Sequence, residues 1–224
     1  MALISDADKA RLRADFAAMT RPVRLLLVTQ SEGSDACANT RQVIEQLPPL
    51  SDRISIEDID WTTQRDVAER YGIDRTPGIA LVGSDDNGAE RDSHIRFLGT
   101  PWGYEFLSLV RAIVLVGGGP SMLSADSRER LARIDKPMSM HVFSTPTCPQ
   151  CPRAVTLAHE IAFANGHVTA YGVEATEFPD LVRQYHVTGV PKTVINNVVE
   201  ILGSVPEDHV VEQTLAGFDA GLQA

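Results

Sequence analysis

The sequence lacks any long hydrophobic run and any recognisable export signal. A membrane-spanning helix needs roughly 20 consecutive apolar residues, and the longest apolar stretch here, residues 112–117, is predicted to be the buried end of a helix. The first residues carry charged side chains from Asp6 onward and show no apolar core of the kind found in a signal peptide. From these absences we expect a cytoplasmic protein with no membrane-spanning segment.

Basic residues are also scarce. The 224 residues contain 20 lysines and arginines against 30 aspartates and glutamates, which gives a formal net charge of −10. Phosphate backbones and anionic lipid surfaces would repel such a chain, so we expect neither a nucleic-acid partner nor a membrane partner. The remaining composition, 43% hydrophobic and 22% charged, is that of an ordinary globular protein. The length allows one large domain or two small ones.

Cysteine is rare and occurs in an odd number, as Cys37, Cys148 and Cys151. A secreted scaffold held by several disulfides is therefore excluded. The last two form a CxxC motif, which could be a redox centre, half of a zinc site, an inert buried pair or part of an iron–sulfur bridge between two chains. Because the chain has no second CxxC and its six histidines are scattered singly, we favour redox chemistry and expect no metal. We expect each histidine to be exposed or hydrogen-bonded.

The two halves of the chain repeat each other at a spacing of 114 residues. The clearest matches are Val28 with Val142, Cys37 with Cys151, Tyr71 with Tyr185, and Pro77 with Pro191. Chance matching of common apolar residues does not explain why cysteine, tyrosine and proline align at a single spacing. We therefore predict two tandem domains of common ancestry, residues 1–119 and 120–224. The first copy is longer, and its insertion is predicted to be an extended hairpin loop at residues 83–92.

Hydrophobic periodicity predicts the same order of elements in both halves, a leading helix and then strand–helix–strand–helix–strand–strand–helix. The predicted strands are residues 23–29, 53–60, 78–82, 94–97, 138–144, 167–173, 192–196 and 198–202. The predicted helices are residues 6–19, 36–47, 63–71, 102–116, 124–134, 149–165, 177–186 and 207–221. A parallel strand–helix–strand unit followed by a hairpin is typical of the thioredoxin-type α/β fold, in which helices flank a mixed central sheet.

The position of the CxxC motif favours a reactive first cysteine. A strand is predicted to lead into a helix that begins with Pro149, which places Cys148 at the helix N-terminus. Unpaired N–H groups and the helix dipole stabilise an anion there, so the pKa of Cys148 should fall below the ordinary value of a thiol. Cys151 lies one turn further into the helix. We therefore predict that Cys148 attacks a substrate disulfide and that Cys151 resolves the mixed disulfide.

Longer stretches of the sequence resemble a known family. They are FSTPTCPQCP around the CxxC, TGVPKTVINN followed by ILGSVPE, and RFLGTPWGYEFLSLVRAIVLVGGGP at the end of the first half. The chain resembles the protein disulfide oxidoreductases, glutaredoxin-like proteins of bacteria and archaea, and is similar to the N-terminal region of the alkyl hydroperoxide reductase flavoprotein subunit. The resemblance covers nearly the whole chain. It implies two thioredoxin folds packed as one body, with dithiol–disulfide exchange at Cys148 and Cys151.

The resemblance also implies a substrate-binding loop and an electron donor. Val190-Pro191 resembles the cis-proline of thioredoxin-like proteins, although a proline before a strand is by itself usually only a turn or strand-edge residue. We assign Val190, Pro191, Thr147 and Pro149 to substrate contact. The donor is expected to be a separate flavoprotein of the thioredoxin reductase kind, because the chain has no flavin or NAD fingerprint. The redox-active disulfide is then the only cofactor that we expect.

Three departures from the family bear on the activity. In the first half Ser34 stands in the place of a nucleophilic cysteine, so Ser34, Cys37, Thr76 and Pro77 are predicted to form a degenerate site. The buried acid that thioredoxin has six residues before its first cysteine is replaced by Val142. The Gly-Gly-Asp motif with which glutaredoxins bind glutathione is not visible in the second half, which favours a protein dithiol as the donor.

The sequence thus predicts a monomeric thiol–disulfide oxidoreductase that reduces protein disulfides, with a peroxiredoxin among the expected substrates. A second hypothesis is a redox-responsive binding module. In that case the degenerate first half and the acidic surface dock a partner, and the CxxC turns over little. Catalytic reduction of a protein disulfide would separate the two hypotheses.

Overall fold

The computed structural model describes residues 4–30 and 34–221. The strands within these ranges are β1 (Val23–Thr29), β2 (Ile54–Asp60), β3 (Gly78–Ser84), β4 (Glu90–Leu98), β5 (Met138–Ser144), β6 (Val168–Glu174), β7 (Lys192–Ile195) and β8 (Val199–Leu202). The α-helices are α1 (Asp6–Phe16), α2 (Asp35–Ile44), α3 (Arg65–Arg70), α4 (Glu105–Val116), α5 (Ala125–Leu131), α6 (Cys151–Ala164), α7 (Pro179–Gln184) and α8 (Glu207–Gly221). The predicted order of elements is confirmed in both halves.

All eight strands belong to one mixed sheet with the order β2-β1-β3-β4-β6-β5-β7-β8. In each half the first strand pairs in parallel with the second and antiparallel with the third. The halves meet where β4 pairs in parallel with β6, from Ile95 opposite Ala170 to Leu98 opposite Val173. From these pairings it follows that β1 and β5 run in the same direction and end at the same edge of the sheet.

Helices cover both faces of the sheet, which explains why its central strands are continuous apolar runs. In β1, Leu25 and Leu27 face the core beneath the larger helices, whereas Leu26 and Val28 face the core beneath α3 and α7. None of the helices in the described residues is long and apolar enough to cross a membrane. The predicted α/β fold of two thioredoxin-like units is confirmed. The division between residues 119 and 120 stays a prediction.

The prediction of an extended hairpin loop at residues 83–92 is wrong. Strands β3 and β4 continue into this segment, with Ser84 paired to Glu90, so the loop is only residues 85–89. Polar side chains do not prevent strand pairing, because the ladder is made by backbone groups. Glu90 also forms an ion pair with Arg24 on β1.

The boundary between the two halves contains a buried cation that the sequence did not reveal. Arg96 on β4 is 2% exposed. Its guanidinium donates to Asp92 Oδ1 at 2.9 Å and to Asp92 Oδ2 at 2.6 Å, and also to the backbone oxygens of Ile95 and Tyr71. A buried charge is tolerated when it is paired and hydrogen-bonded in this way, and the Arg96 ion pair lowers the pKa of Asp92 against the opposing effect of burial.

Candidate redox site

Cys148 and Cys151 form a disulfide with their Cα atoms 5.5 Å apart. Cys148 is partly exposed, whereas Cys151 is completely buried. The structure corrects the predicted start of the helix, because α6 begins with Cys151 rather than with Pro149. Cys148 and Pro149 lie in the turn before it, where the Cys148 N–H donates to the Thr145 carbonyl at 3.1 Å. Cys148 is thus the more exposed of the two cysteines, and its role as the attacking residue stays a prediction.

The segment before Pro191 lies at the same edge of the sheet as the disulfide. Strand β7 begins directly after Pro191 and pairs antiparallel with β5, with Lys192 opposite Phe143. The register therefore carries Pro191 towards the end of β5, from which the chain leads to Cys148. The Val190–Pro191 bond is cis, Pro191 is buried and Val190 is half-buried. Thr147 and Pro149, the other residues assigned to substrate contact, are exposed.

The first half repeats this arrangement without the nucleophile. The Ser34 hydroxyl accepts a hydrogen bond from the Cys37 N–H at 3.2 Å and so caps the N-terminus of α2. Cys37 is the free cysteine, and it is only 3% exposed. The Thr76–Pro77 bond is cis, and Pro77 precedes β3 as Pro191 precedes β7. The four residues of the predicted degenerate site follow the same order along the chain as the CxxC site, but α2 begins one residue after Ser34 whereas α6 begins three residues after Cys148.

Residues 99–104 of the first half reach the redox site of the second half, which the sequence did not reveal. The Tyr104 N–H donates to the Pro146 carbonyl at 2.9 Å. Gly103 has φ +61°, and a Cβ there would overlap the Pro146 carbonyl oxygen. Glycine is therefore needed at this position for both its conformation and the close approach. Trp102 and Tyr104 remain exposed beside the contact.

A buried carboxyl group lies behind this contact. Glu105, the first residue of α4, is 3% exposed and lines a small cleft with Ser144, Gly172 and Glu174. Burial, and secondarily the charge of Glu174, raises the pKa of Glu105 to about 7. Burial also raises the pKa of Glu177. Val142 lies in the core, so β5 itself supplies no carboxylate there, as the sequence indicated.

The histidines do not all follow the expectation of exposure or hydrogen bonding. His159 on α6 is 1% exposed, neither ring nitrogen has a hydrogen-bond partner, and its ring lies edge-on to Phe97. Burial lowers its pKa to about 3, so the ring is neutral near pH 7. His141 stacks on Tyr171 and Tyr185. Within the described ranges, no group of three or more histidine, cysteine or acidic side chains could hold a metal ion.

Known proteins are similar to this chain both over its second half and over nearly its whole length. Residues 138–216 match the thioredoxin domain family. The chain is 27% identical over 216 residues to the F subunit of alkyl hydroperoxide reductase in Pseudomonas aeruginosa, and the match covers 96% of this chain and 37% of that protein. The chain thus spans about a third of the length of the curated relatives that it matches.

Two solved structures are similar over nearly the whole chain. A domain of alkyl hydroperoxide reductase AhpF of Enterococcus faecalis is 27% identical with a TM-score of 0.85, and the match covers 93% of this chain and 98% of that one. A protein disulfide oxidoreductase from Aeropyrum pernix is 24% identical with a TM-score of 0.87, covering 96% of this chain and 94% of that one, which shows the shared fold. The resemblance predicted from the sequence is therefore confirmed.

Proposed function

We propose that this chain, built from two thioredoxin-like units, is a thiol–disulfide oxidoreductase that reduces protein disulfides at Cys148 and Cys151. The observation that carries the proposal is the Cys148–Cys151 disulfide at the end of a central strand, with one sulfur-bearing residue partly exposed and the other buried. Only an exposed sulfur can be approached by the disulfide of another protein. Only a neighbouring second thiol can then release that protein without a further reactant.

The reaction runs in two exchange steps once the pair is reduced. The Cys148 thiolate attacks one sulfur of the substrate disulfide, so that the substrate S–S bond breaks, a Cys148–substrate disulfide forms and the other substrate sulfur leaves as a thiolate. The Cys151 thiolate then attacks the Cys148 sulfur and expels the second substrate thiolate. The substrate gains two electrons, the pair is oxidised to its disulfide, and the two protons of the original thiols end on the substrate thiols.

The N-terminus of α6 favours the thiolate that the first step needs. This helix has 14 residues, and its first N–H groups have no partners within the helix. Cys148 lies in the turn that enters it, so the helix dipole and these donors stabilise a negative sulfur. The first unit does not take part in exchange, because Ser34 cannot form a disulfide and Cys37 is buried.

The relatives support a narrower assignment of partners. Among them are F subunits of alkyl hydroperoxide reductase, so we propose a peroxiredoxin among the substrates and a flavoprotein of the thioredoxin reductase kind as electron donor. The net charge of −10 makes a nucleic acid an unsuitable partner. We further propose that the chain works as a monomer in the cytoplasm, with the disulfide as its only redox group.

Insulin reduction tests the proposal. With dithiothreitol as the electron source, the protein should accelerate the precipitation of the insulin B chain, and Cys148→Ser should abolish the acceleration. A protein that binds partners in a redox-dependent way but gives no acceleration would instead be the binding module. Cys151→Ser should stall the mixed disulfide, so partners captured from an extract should be released by dithiothreitol.

A further inference from the structure

Two large aromatic side chains stay exposed beside the redox site. Trp102 is 55% exposed and Tyr104 is 51% exposed. Their position relative to the CxxC is fixed, because the Tyr104 N–H is hydrogen-bonded to the Pro146 carbonyl. Pro146 is two residues before Cys148, which limits the distance between their Cα atoms to about 8 Å. The backbone that carries this aromatic pair therefore lies near the turn that the disulfide of another protein would approach.

Trp102 forms a wall of a cavity of about 550 Å³ between α2 and the segment after β6. This volume lies within the range of ordinary ligand sites. Val43 and Phe106 add apolar walls, and Glu174 and Glu177 add carboxyl groups. No lysine, arginine or histidine is among the described residues that line it. The cavity thus combines apolar walls with negative charge that no lining side chain neutralises.

The two carboxylates differ in the number of hydrogen bonds that they already accept. Glu174 accepts hydrogen bonds from the Thr176 N–H, the Thr176 hydroxyl and the Glu177 N–H, so its oxygens are largely used. Glu177 accepts one hydrogen bond, from the Thr100 N–H to Oε1 at 3.1 Å, and its Oε2 is buried without a hydrogen-bond partner. Because a single hydrogen bond compensates its charge, Glu177 is the carboxylate that we expect a cation from outside the chain to neutralise, by approaching the Oε1 side.

We propose that Trp102 and Glu177 form a docking site for a lysine or arginine side chain of the disulfide-containing protein. The inference rests on the proposed function and specifies what its substrate carries. The aliphatic stem of such a side chain matches the apolar walls, and its charge matches Glu177 and the face of Trp102. Because the neighbouring Tyr104 is hydrogen-bonded to Pro146, two residues before Cys148, we place the basic residue within a few positions of the cysteine that is attacked.

Charge complementarity selects this occupant over a second copy of the chain. Two copies would each bring a net charge of −10, so their general repulsion opposes the contact. A basic segment is attracted instead, both by the whole chain and by the cavity. The first unit, which has lost its own nucleophile, thereby contributes to substrate recognition at the CxxC of the second unit.

Two peptide disulfides test the inference. They are identical except for lysine or glutamate three residues from the cysteine, and kcat and KM are measured for each. The unmodified protein should prefer the lysine peptide by about tenfold in kcat/KM. Trp102→Ala and Glu177→Gln should each remove most of this preference by raising KM for the lysine peptide while leaving kcat unchanged. Glutamine keeps the carbonyl oxygen that accepts from Thr100, so the local fold is retained.

Val198→Ala is the matched control, because Val198 is also 55% exposed but lies beyond the far end of β7 from Pro191. This variant should keep the full preference. Bis(2-hydroxyethyl) disulfide, which is small and uncharged, should be reduced at the same rate by all variants. Equal kcat/KM for the two peptides, or a preference that survives both substitutions, would overturn the docking site. Failure to reduce any of the disulfides would instead overturn the proposed function.

Discussion

Tyr104 of the first unit donates its backbone N–H to the carbonyl oxygen of Pro146 in the second unit, at 2.9 Å. This bond ties the N-terminus of α4 to the turn that carries Cys148. Together with the pairing of β4 and β6, it means that the redox site is built from both halves of the chain. The neighbouring Gly103 gives a direct way to test this dependence.

Gly103→Ala should destabilise the protein by more than the cost of its positive φ alone. That cost is about 1 kcal/mol for an L-residue in the left-handed region, and the new Cβ would also displace the turn at Pro146. The urea concentration at the midpoint of unfolding and the rate of insulin reduction should both be lower than in the original protein. Gly88→Ala is the control, since Gly88 has φ +80° but open space around its Cβ position. Equal losses in the two variants would show that the contact with Pro146 contributes nothing.

Cys148 should be the thiol that iodoacetamide modifies first after mild reduction near neutral pH. It is the partly exposed cysteine and lies at the entry to α6, whereas Cys151 and Cys37 are 0% and 3% exposed. Mass mapping of the adducts after a short reaction shows the order in which the three thiols are modified. Predominant labelling of Cys151 would reverse the roles assigned to the two residues.

Glu105→Gln should change how stability depends on pH. The folded-state pKa of Glu105 is about 7 against a usual value of 4.5, so the folded protein holds the proton more tightly than the unfolded chain. The resulting stabilisation is fully present below about pH 4.5 and is lost as the pH rises through about 7. The whole effect is at most about 3 kcal/mol. Glutamine resembles the protonated acid, so the variant should be as stable as the original protein at pH 4.5 and more stable than it at pH 8.

Urea unfolding at the two pH values measures this difference. Glu129→Gln, at an exposed position on α5, serves as the control, and its effect on stability should be the same at both pH values. If Glu105→Gln also shifted stability equally at pH 4.5 and pH 8, its carboxyl group would not be titrating in this range.

The parts of the site that were predictable from the sequence carry local signals. The CxxC motif marks Cys148 and Cys151, and the 114-residue spacing pairs Pro77 with Pro191. The exact start of α6 was not predictable from Pro149, because a proline fits the turn before a helix as well as the first helical turn. Helix boundaries commonly differ by one or two residues between assignments.

Contacts between the two halves could not be predicted from local sequence patterns. Glu105 resembles an ordinary acid in the first turn of an amphipathic helix, but it lies beside Ser144, Gly172 and Glu174 of the second half and is buried. Arg96 likewise resembles a surface residue of a strand until β4 pairs with β6. Part of each environment comes from the second half of the chain, Glu174 beside Glu105 and Tyr171 opposite Arg96. The repeat predicted that there are two units, but it held no information on which strands would join them.

Cys37→Ala should keep most of the insulin-reductase activity, although Cys37 matches Cys151 in the repeat. Its would-be partner is Ser34, whose hydroxyl is occupied in capping α2. A resolving thiol with no nucleophile has nothing to resolve, and a sulfur-bearing side chain 3% exposed behaves as a small buried apolar residue. The loss of packing should cost about 1 kcal/mol of stability, and the oxidised variant should stay monomeric on a sizing column. Cys148→Ser is the reference for complete inactivation. If Cys37→Ala were as inactive as that reference, the first unit would take part in electron transfer. The prediction that exchange occurs at Cys148 and Cys151 alone would then be wrong.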